Sequence, residues 1–525
     1  MPRVLISDKL SPAAAAIFEA RGVQADEKPG MSPEELIACI GGYDGLAIRS
    51  ATKVTAEVLD AAKNLKVIGR AGIGVDNVNL PAATARGIAV MNTPFGNSIT
   101  TAEHAIAMLL AVVRRIPAAN ASTHAGKWEK SRFMGSEVYG KVLGIIGAGN
   151  IGSIVADRAQ GLKMRVVAYD PYLSPERAAD LGVEKVELDD LFARADFVTL
   201  HTPMTDATRG IIDAAALAKM KRGVYIVNCA RGGLVIEEDL RAALDSGHVA
   251  GAAIDVFSEE PAKDNVLFGL EQVVATPHLG ASTTEAQENV AIQVAEQMSD
   301  FLTLGAVTNA LNMPSVSAED APKLKPYMQL AEQVGRFLGQ VADSFTSVRI
   351  DYEGHVATLN TRPLTAIVLE GLLSPLMESV NMVNAPVVAK ERGIDVTEAT
   401  NERCADYQTL LRLTVAGDAG EQCVSGTLFA DSRPRLVELN GISIEAELRG
   451  DMLYTSNEDV PGFIGQLGGT LGEAGVNIAT FHLGRQERGG KALALVSLDG
   501  ALSDRVLAKI RALPQVNEAK SLHFS

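Results

Sequence analysis

Cysteine is scarce in this chain, and its four copies show no paired spacing. Cys39, Cys229, Cys404 and Cys423 are widely separated among 525 residues. Secreted domains held by disulfides are far richer in cysteine, and structural zinc sites use closely spaced cysteine pairs. The sequence therefore favours a reducing compartment and indicates no metal site.

Positive charge and long apolar runs are also in short supply. Lysine and arginine number 48 against 64 aspartates and glutamates, which gives a formal net charge of −16 at pH 7. This field repels nucleic acid and anionic membranes, so neither is expected as a partner. Apolar runs such as 105–113 are too short to span a bilayer, and the first residues lack the apolar core of a secretory signal. We expect a cytoplasmic protein.

Aromatic residues are rare too, at 5% of the chain with one tryptophan, although 47% of the residues are hydrophobic. The core must then be built mainly from small and branched aliphatic side chains, which is typical of α/β proteins. A chain of this length is expected to hold about three or four domains. Glycine, in contrast, is plentiful with 48 copies, and one cluster of it is the strongest local pattern in the sequence.

This cluster is the turn Gly147, Gly149 and Gly152, which lies between a β-branched run and a helical pattern at 153–162. The order of strand, glycine turn and helix places a pyrophosphate at the helix N-terminus. The next predicted strand ends in Asp170, about 20 residues after the turn, where a carboxylate reaches the ribose hydroxyls of NAD. No arginine follows Asp170 directly, which disfavours NADP. The alternative is a glycine turn with a structural role only.

Short apolar runs alternate with helical patterns through the first hundred residues, which predicts a separate doubly wound domain. Thr100 and Glu103 have the spacing of a capping box and predict the start of a helix that crosses into the second domain. After the glycine turn, further strands predict one parallel sheet of six or more strands. They lie at 197–201, 224–228, 251–255 and 273–275, with helices at 213–221 and 236–246 and a long returning helix at 283–304.

The C-terminal part has a different pattern. Residues 313–326 contain three prolines and no clear period, which marks them as a linker. Helices at 327–340 and 364–392 are then mixed with strands. The last 75 residues or so have the order βαββαβ, which predicts a ferredoxin-like unit.

Three predicted strands of the second domain end near side chains that could carry a reaction, namely Arg231, Glu260 and His278. The carboxyl ends of parallel strands meet at one edge, where the nicotinamide end of a dinucleotide lies. Each residue alone is more often structural, but together they fit hydride transfer. His278 would take a hydroxyl proton, Glu260 would fix the histidine tautomer, and Arg231 would hold a substrate carboxylate.

These motifs, in this order, resemble the D-isomer-specific 2-hydroxyacid dehydrogenases. The likeness lies in the glycine turn with Asp170 and in the stretches Asn228–Gly233, Asp255–Pro261 and Pro277–Ala281. Three more stretches, at 69–77, 91–98 and 126–129, are similar to the branch that oxidises (2R)-3-phosphoglycerate to 3-phosphohydroxypyruvate in serine biosynthesis. The likeness covers essentially the whole chain, because the long form of that branch adds an intervening domain and an ACT domain.

The resemblance, added to the strand and helix patterns, implies an α/β fold. Two doubly wound parallel-sheet domains, a flavodoxin-like lid and a Rossmann NAD domain, are followed by an α+β intervening domain and a ferredoxin-like ACT domain. The expected boundaries are 1–98 with 285–312 for the substrate-binding domain, 99–284 for the NAD-binding domain, 313–326 for the linker, 327–450 for the intervening regulatory domain and 451–525 for the ACT domain. A homodimer or homotetramer is expected.

The resemblance also implies roles for single residues. Arg231 is expected to bind substrate, Glu260 to orient the histidine, and His278 to act as acid and base. The residues expected at NAD are Gly147, Gly149, Asn150, Ile151, Gly152, Asp170, Thr202, Cys229, Asp255, His278, Leu279, Gly280 and Ala281. Those expected at the substrate are Arg49, Ser50, Arg70, Ile73, Gly74, Asn97 and Arg231, with Arg49 as the phosphate ligand.

Two basic residues, Lys130 and Arg132, are expected either to reach the site of a neighbouring subunit or to form a solvated loop. In the last domain, Asp459 and Asn477 are expected to bind L-serine as an effector. Asn457 stands where some relatives carry a histidine or an aromatic residue, so a purely structural dimerising domain is the alternative.

Two rival functions stay open. A hydroxypyruvate or glyoxylate reductase, or another D-2-hydroxyacid dehydrogenase, would share the catalytic residues and differ in its substrate. An NAD-sensing regulatory protein would keep the fold without the reaction, and the intact set of Arg231, Glu260 and His278 speaks against it.

Overall fold

The computed structural model describes residues 1–317, 319–377, 379–404, 406–418, 420–429 and 432–524. Residue 318 of the predicted linker, residues 378, 405, 419, 430 and 431 of the predicted intervening domain, and residue 525 lie outside the described residues. The described chain forms four sheets, and the predicted fold class is confirmed. Two parallel α/β sheets come first, and two smaller mixed α+β units follow.

The first sheet contains β1 (Arg3–Ile6), β2 (Gln24–Glu27), β3 (Gly45–Ile48), β4 (Val67–Arg70) and β5 (Ala89–Met91), with α1 (Ala13–Ala20), α2 (Pro33–Ile40), α3 (Ala56–Ala61) and α4 (Leu80–Ala85) between them. The strands pair in parallel in the order β2-β1-β3-β4-β5, which is the flavodoxin-like order. All of β3 is buried, because helices cover both faces of the sheet.

Helix α5 (Ser98–Val113) crosses to the second sheet and is followed by α6 (Ile116–His124). The capping box predicted at Thr100 and Glu103 is wrong, because α5 already begins at Ser98 with Asn97 as its N-cap residue. Both Asn97 and Ser98 are buried, and the Ser98 hydroxyl donates to the Pro94 carbonyl. Tertiary packing therefore extends the helix beyond its local start signal.

The second sheet has seven strands, all paired in parallel, in the Rossmann order with one added strand. Its elements are β6 (Val142–Ile146), α7 (Asn150–Gly161), β7 (Arg165–Tyr169), α8 (Pro175–Asp180), β8 (Glu184–Lys185), α9 (Leu188–Arg194), β9 (Phe197–Leu200), α10 (Ala214–Lys219), β10 (Val224–Asn228), α11 (Glu237–Asp245), β11 (Val249–Ile254) and β12 (Val273–Ala275). The spatial order is β12-β11-β10-β9-β6-β7-β8, so the carboxyl ends of β6 and β9 lie side by side.

Helix α12 (Thr284–Leu304) leaves the second sheet and packs on the first. Its residues Val294 and Met298 lie in one apolar cluster with Val4 and Val67. The approach is close, since a Cβ on Gly69 would lie 2.2 Å from the Met298 sulfur. Two helices, α5 and α12, thus connect the two parallel sheets, and a cleft lies between these sheets.

The third unit is built on α13 (Ala321–Val341), so the last part of the segment predicted as a linker, 321–326, is helical. Leu324 explains why this part is helical and not an irregular linker. Its side chain is buried in the apolar cluster of the first sheet, which fixes the conformation of the chain there. The other elements are β13 (Ser347–Gly354), α14 (Arg362–Leu373), α15 (Ala385–Glu391), β14 (Asp395–Asn401), β15 (Thr409–Gly417), β16 (Gly420–Leu428), β17 (Pro434–Leu439) and β18 (Ile442–Ala446). The helix predicted over 364–392 is therefore two helices.

Helices α13 and α14 touch through their backbones. A Cβ on Gly335 or Gly339 would lie 2.3 Å from the carbonyl oxygen of Val368 or Leu372, respectively. The two helices lie against the six-stranded sheet, whose order is β14-β13-β15-β16-β17-β18.

The last unit contains β19 (Gly450–Glu458), α16 (Phe463–Glu473), β20 (Ile478–Arg485), β21 (Lys491–Leu498), α17 (Asp504–Arg511) and β22 (Val516–Phe524). Its antiparallel sheet has the order β20-β21-β19-β22, so the ferredoxin-like prediction is confirmed. The sheet shares a core with α13, where Phe337 meets Tyr454 edge to face at 6.1 Å between ring centroids. Gln340 also pairs with the backbone of His523 in β22.

Across the described residues, no single helix has both the length and the apolar composition needed to cross a membrane. The pair α5 and α6, bent by 62°, meets those two criteria only when taken together.

Candidate active site

The glycine-rich turn joins β6 to α7 and takes a shape that only glycine permits. Gly147 has a φ of +94°, and a Cβ there would lie 2.6 Å from the carbonyl oxygen of His201. A Cβ on Gly152 would lie 2.0 Å from the carbonyl oxygen of Gly147. At Gly149 the space is open, and α7 begins at the next residue. The turn therefore brings the first N–H groups of a helix to an uncrowded surface, which suits a pyrophosphate.

Asp170 follows β7 beside this turn. Its carboxylate accepts hydrogen bonds from Ala148 N at 2.9 Å and from Tyr172 N at 2.8 Å. The side chain is only partly buried, so its oxygens keep acceptor capacity for ribose hydroxyls.

Two adjoining cavities form a cleft between the parallel sheets. A cavity of about 330 Å³ lies above the glycine turn, and one of about 640 Å³ lies toward the first sheet. Arg70, His278 and Ala281 border both cavities, so they are parts of one cleft. The smaller cavity is also lined by Asn150, Ile151, Thr202, Cys229, Gly280, Ile73, Gly74, Asn97 and Arg231, and the larger one by Arg49, Ser50 and Glu260.

His278 and Glu260 form a hydrogen-bonded pair at this cleft. Nδ1 of His278 lies 2.7 Å from Oε2 of Glu260, whose other oxygen accepts from Phe257 N at 3.0 Å. The pairing at Nδ1 leaves Nε2 of the ring for the cleft. The histidine can therefore exchange a proton with a bound hydroxyl through Nε2.

Glu260 is held in its ionised form. Burial opposes ionisation, but hydrogen bonds from His278 and from Phe257 N outweigh it and lower the pKa of Glu260 below its usual value. Because this folded-state pKa is depressed, the stabilisation is present above the unfolded pKa and is lost as the pH falls through the folded one. At neutral pH the carboxylate is therefore in place to stabilise an imidazolium.

The backbone at His278 lies in the left-handed region, with a φ of +55°. Asp255 fixes this turn, since its carbonyl accepts from His278 N at 2.8 Å. Its carboxylate accepts from Leu279 N at 2.7 Å and from Gly280 N at 2.9 Å. Asp255 is fully buried, so the structure places it beneath the cleft rather than in its wall. It shapes the turn that presents His278.

His104 on α5 belongs to the same network and was not identified from the sequence, because no motif marks it. Its Nε2 lies 3.2 Å from Oδ1 of Asp255, and the Thr276 hydroxyl donates to the same oxygen at 2.6 Å. Burial opposes the ionisation of Asp255, but the hydrogen bonds from His104, Thr276 and Leu279 N outweigh it and lower the pKa of Asp255.

The described residues include one trio that brings possible metal ligands together. Ligand atoms of His104, Cys229 and Asp255 lie within 4.8 Å of one another. The oxygens of Asp255 are already engaged by N–H and O–H donors. Burial and the charge of Asp255 raise the pKa of the Cys229 thiol, which keeps it protonated, whereas a metal ligand must be a thiolate. This chemistry fits a hydrogen-bond network better than an ion.

Arg231 follows β10 and reaches across the cleft. Asn228 fixes its turn by donating to the Arg231 carbonyl at 2.9 Å and accepting from Ala230 N at 3.1 Å. The Nε of Arg231 lies 3.0 Å from Oδ2 of Asp76, which belongs to the first sheet's side of the cleft. A Cβ on Gly74 would lie 1.8 Å from a guanidinium nitrogen of Arg231. Its Nη1 also donates to the Ala230 carbonyl at 2.6 Å, so the arginine is fixed in one orientation at the wall of the cleft.

Asp76 was missed as a site residue, although it lies inside the stretch 69–77 that carried the resemblance. Its contact with Arg231 joins residues 155 positions apart, so no local pattern could disclose it.

Two further arginines face the same cleft. Nε of Arg70 is buried and has no hydrogen-bond partner among the residues that the structure describes. Burial, together with the charges of Arg231 and Arg49, lowers the pKa of Arg70 to about 10, so it stays protonated at neutral pH. Arg49 lines the larger cavity, Arg231 lines the smaller one and Arg70 borders both, so the cleft holds three cations.

The residues predicted at other sites are engaged within the chain. Asp459 pairs with Arg485 at 2.9 Å and accepts from Gly489 N at 3.1 Å, while Asn477 donates to Asp499 at 2.6 Å. Arg132, predicted to reach a neighbouring subunit, pairs with Glu129 at 3.1 Å and also with Glu271.

Comparison with known families places these features in one class. The family described as D-isomer specific 2-hydroxyacid dehydrogenase, NAD binding domain, matches residues 106–280. The D-3-phosphoglycerate dehydrogenase intervening domain matches residues 323–440, and the ACT domain matches residues 452–515.

Curated relatives resemble the chain along its full length. D-3-phosphoglycerate dehydrogenase from Synechocystis is 43% identical over 99% of this chain and 94% of its own length. The protein of that name from Bacillus subtilis is 41% identical over 99% of both chains, and that from Methanocaldococcus jannaschii is 42% identical over 100% of both. The chain therefore belongs to the D-3-phosphoglycerate dehydrogenase family of NAD-dependent oxidoreductases.

Solved structures resemble about three fifths of the chain. NAD⁺-bound 3-phosphoglycerate dehydrogenase from Entamoeba histolytica shares 28% identity and a TM-score of 0.51 over 59% of this chain and 98% of its own. A glyoxylate reductase from Paecilomyes thermophila shares 30% identity and a TM-score of 0.55 over 59% of this chain and 98% of its own.

Proposed function

We propose that this protein oxidises (2R)-3-phosphoglycerate to 3-phosphohydroxypyruvate with NAD, the first step of the phosphorylated route to L-serine. The observation that carries the proposal is one cleft that is lined by Arg49, Arg70 and Arg231 and by the hydrogen-bonded pair His278 and Glu260. The substrate carries a carboxylate at one end and a phosphate at the other, and arginine suits both groups. Relatives named for this activity span the whole chain.

The charged residues of the cleft and His278 each have a role in the proposed mechanism. Arg231 binds the substrate carboxylate and sets the orientation of the carbinol carbon. His278 accepts the hydroxyl proton at Nε2, and Glu260 stabilises the imidazolium that forms. The glycine turn and Asp170 would hold NAD, which would supply the hydride acceptor for the same carbon. Arg49 and Arg70 hold the phosphate at the far end, so the reacting atoms stay in place.

The first test is whether the purified protein forms NADH from NAD and 3-phosphoglycerate when the product is removed. An NAD-sensing regulator would form none under any condition. Wild-type protein without turnover would therefore overturn the proposed reaction and favour the regulator.

Replacing Arg49 with alanine is expected to raise the KM for 3-phosphoglycerate by about 10- to 100-fold, because a charge-assisted hydrogen bond is worth about 1.5–3 kcal/mol. The KM for unphosphorylated D-glycerate should change little. Lys63→Ala, an exposed lysine of the same sheet unit that does not border the cleft, is the matched control and should leave both values unchanged. Steady-state kinetics with both acids measures the difference. An equal rise for both acids would instead favour a hydroxypyruvate or glyoxylate reductase.

We also propose the finer features that the family implies. The chain would divide at the boundaries given above, act as a homodimer or homotetramer in the cytoplasm, and bind L-serine through Asp459 and Asn477. The match to the ACT domain supports a regulatory ligand for the last unit.

Added L-serine is expected to lower the oxidation rate of the wild-type protein, and Asp459→Ala should weaken this inhibition. The reason is that the Asp459 carboxylate, which pairs with Arg485 in this structure, would exchange that partner for the amino group of serine. Asp504→Ala, an exposed aspartate on α17, is the control and should keep the wild-type response. A wild-type rate that serine does not alter would leave the unit with a structural role.

A further inference from the structure

The loop that follows β3 carries Arg49 and Ser50 into the larger cavity. Asp8, at the end of β1, is 5% exposed and holds this loop from below. Its carboxylate accepts from Arg49 N at 2.6 Å, from Thr52 N at 3.1 Å and from the Thr52 hydroxyl at 2.7 Å. One buried carboxylate therefore binds both ends of the loop through their donors.

Asn77 binds the same loop through the carbonyl oxygens of the loop. Its Nδ2 donates to the carbonyl of Arg49 at 2.8 Å and to the carbonyl of Thr52 at 2.7 Å. The backbone adds a third link, since Val54 N donates to the Asn77 carbonyl at 2.8 Å. Asp8 accepts hydrogen bonds from the N–H groups of the loop, and Asn77 donates hydrogen bonds to its carbonyls. The two side chains therefore fix the loop in one conformation.

The middle of the loop keeps its donors free. The N–H groups of Ser50 and Ala51 and the Ser50 hydroxyl have no hydrogen-bond partner within the described part of the chain. These donors lie between two residues whose N–H groups Asp8 binds. The arrangement resembles a backbone site for an anion, with the Arg49 guanidinium beside it.

We propose that Asp8 and Asn77 are positioning residues that set the affinity for the phosphate end of the substrate. They act through the backbone of the loop, and neither borders the cleft cavities. The inference rests on the proposed function, because it needs a phosphorylated substrate. A fixed loop holds its donors in the geometry that a phosphate requires, whereas a loose loop must be ordered by the ligand at the expense of affinity.

Two isosteric substitutions test this role from opposite sides. Asp8→Asn places an amide donor against the N–H groups of Arg49 and Thr52, and Asn77→Asp places an acceptor against their carbonyls. Each should raise the KM for 3-phosphoglycerate by about tenfold, with kcat nearly unchanged, because the phosphate lies remote from the proton transfer. The KM for NAD and the KM for unphosphorylated D-glycerate should stay at wild-type values. Asp60→Asn, an exposed aspartate of α3, is the matched control and should change nothing.

A double substitution separates positioning from a general structural effect. If Asp8 sets the position of the Arg49 side chain together with the loop donors, Asp8→Asn should add less to the KM in an Arg49→Ala background than in wild type, and the remainder should come from the backbone donors of Ser50 and Ala51. If either isosteric variant fails to fold, Thr52→Val removes the hydroxyl that donates to Asp8 and pairs with the Ser7 hydroxyl, and it should show the same selective rise in KM.

The possible outcomes test the proposed function and the role of Asp8 and Asn77 separately. A wild-type protein that does not oxidise 3-phosphoglycerate overturns the proposed function. A wild-type protein that does so, with variants whose KM for it is unchanged or rises equally for D-glycerate, overturns only the role of Asp8 and Asn77. Full additivity with Arg49→Ala also overturns it.

Discussion

Replacing His278 with alanine is expected to lower kcat by about 10²- to 10⁴-fold, which is the usual contribution of a general acid and base. The affinity for NAD should stay nearly unchanged, because the glycine turn that faces the pyrophosphate lies on other elements. Pre-steady-state NADH formation and a separate titration with NAD measure the two effects. A variant with near-normal kcat would remove His278 from the mechanism.

The backbone at His278 calls for a second variant. Its φ of +55° strains an alanine, whereas asparagine tolerates the left-handed region well. His278→Asn should therefore keep the fold of the turn and still lose the rate. Glu260→Gln keeps the imidazole and removes only the charge beside it, so its loss of kcat should be smaller than that of His278→Ala. An equal loss in both would mean that the pair fails as a unit.

Replacing Arg231 with alanine is expected to lower kcat/KM by about 10²-fold or more, since truncating one partner of a hydrogen-bonded charge pair costs about 2–5 kcal/mol. Two effects add up. The substrate loses its carboxylate anchor, and Asp76 is left without its partner and repels the anionic substrate. The loss should be as large for D-glycerate as for 3-phosphoglycerate, because both acids carry the carboxylate.

Arg231→Lys is the matched variant. It keeps the charge and lacks the planar fork, so it should recover only part of the lost kcat/KM. Asp76→Asn in the Arg231→Ala background should recover the part that comes from repulsion. A loss confined to the phosphorylated acid would move Arg231 to the phosphate end and reverse the assigned orientation of the substrate.

Much of the fold followed from local patterns in the sequence. The glycine turn, the strand ends near Arg231 and His278, and the βαββαβ order of the last unit each depend on neighbours along the chain. The sequence could thus predict which elements exist and which edge of the second sheet faces the cleft. The roles of the single site residues remain predictions until the variants above are measured.

The contacts and the helix start that could not be predicted from the sequence depend on residues that are far apart along the chain. Asp8 and Asn77 bind a loop 41 and 28 residues away, respectively. His104 sits on an ordinary helical pattern and gains its partner Asp255 only through packing. The start of α5 was misplaced for the same reason, because burial at the cleft outweighed a sound local capping signal at Thr100.

The glycine contact between α13 and α14 has a mechanical consequence. Side chains can change rotamer when packed helices slide, but the carbonyl oxygens that face Gly335 and Gly339 cannot move aside. The two helices must therefore shift together where Gly335 and Gly339 lie, whereas Pro326 removes a backbone hydrogen bond from the part of α13 nearer the first sheet. One end of α13 is buried beside the first sheet and the other is bonded to β22. Helix α13 is thus a direct physical link between the last unit and the first sheet.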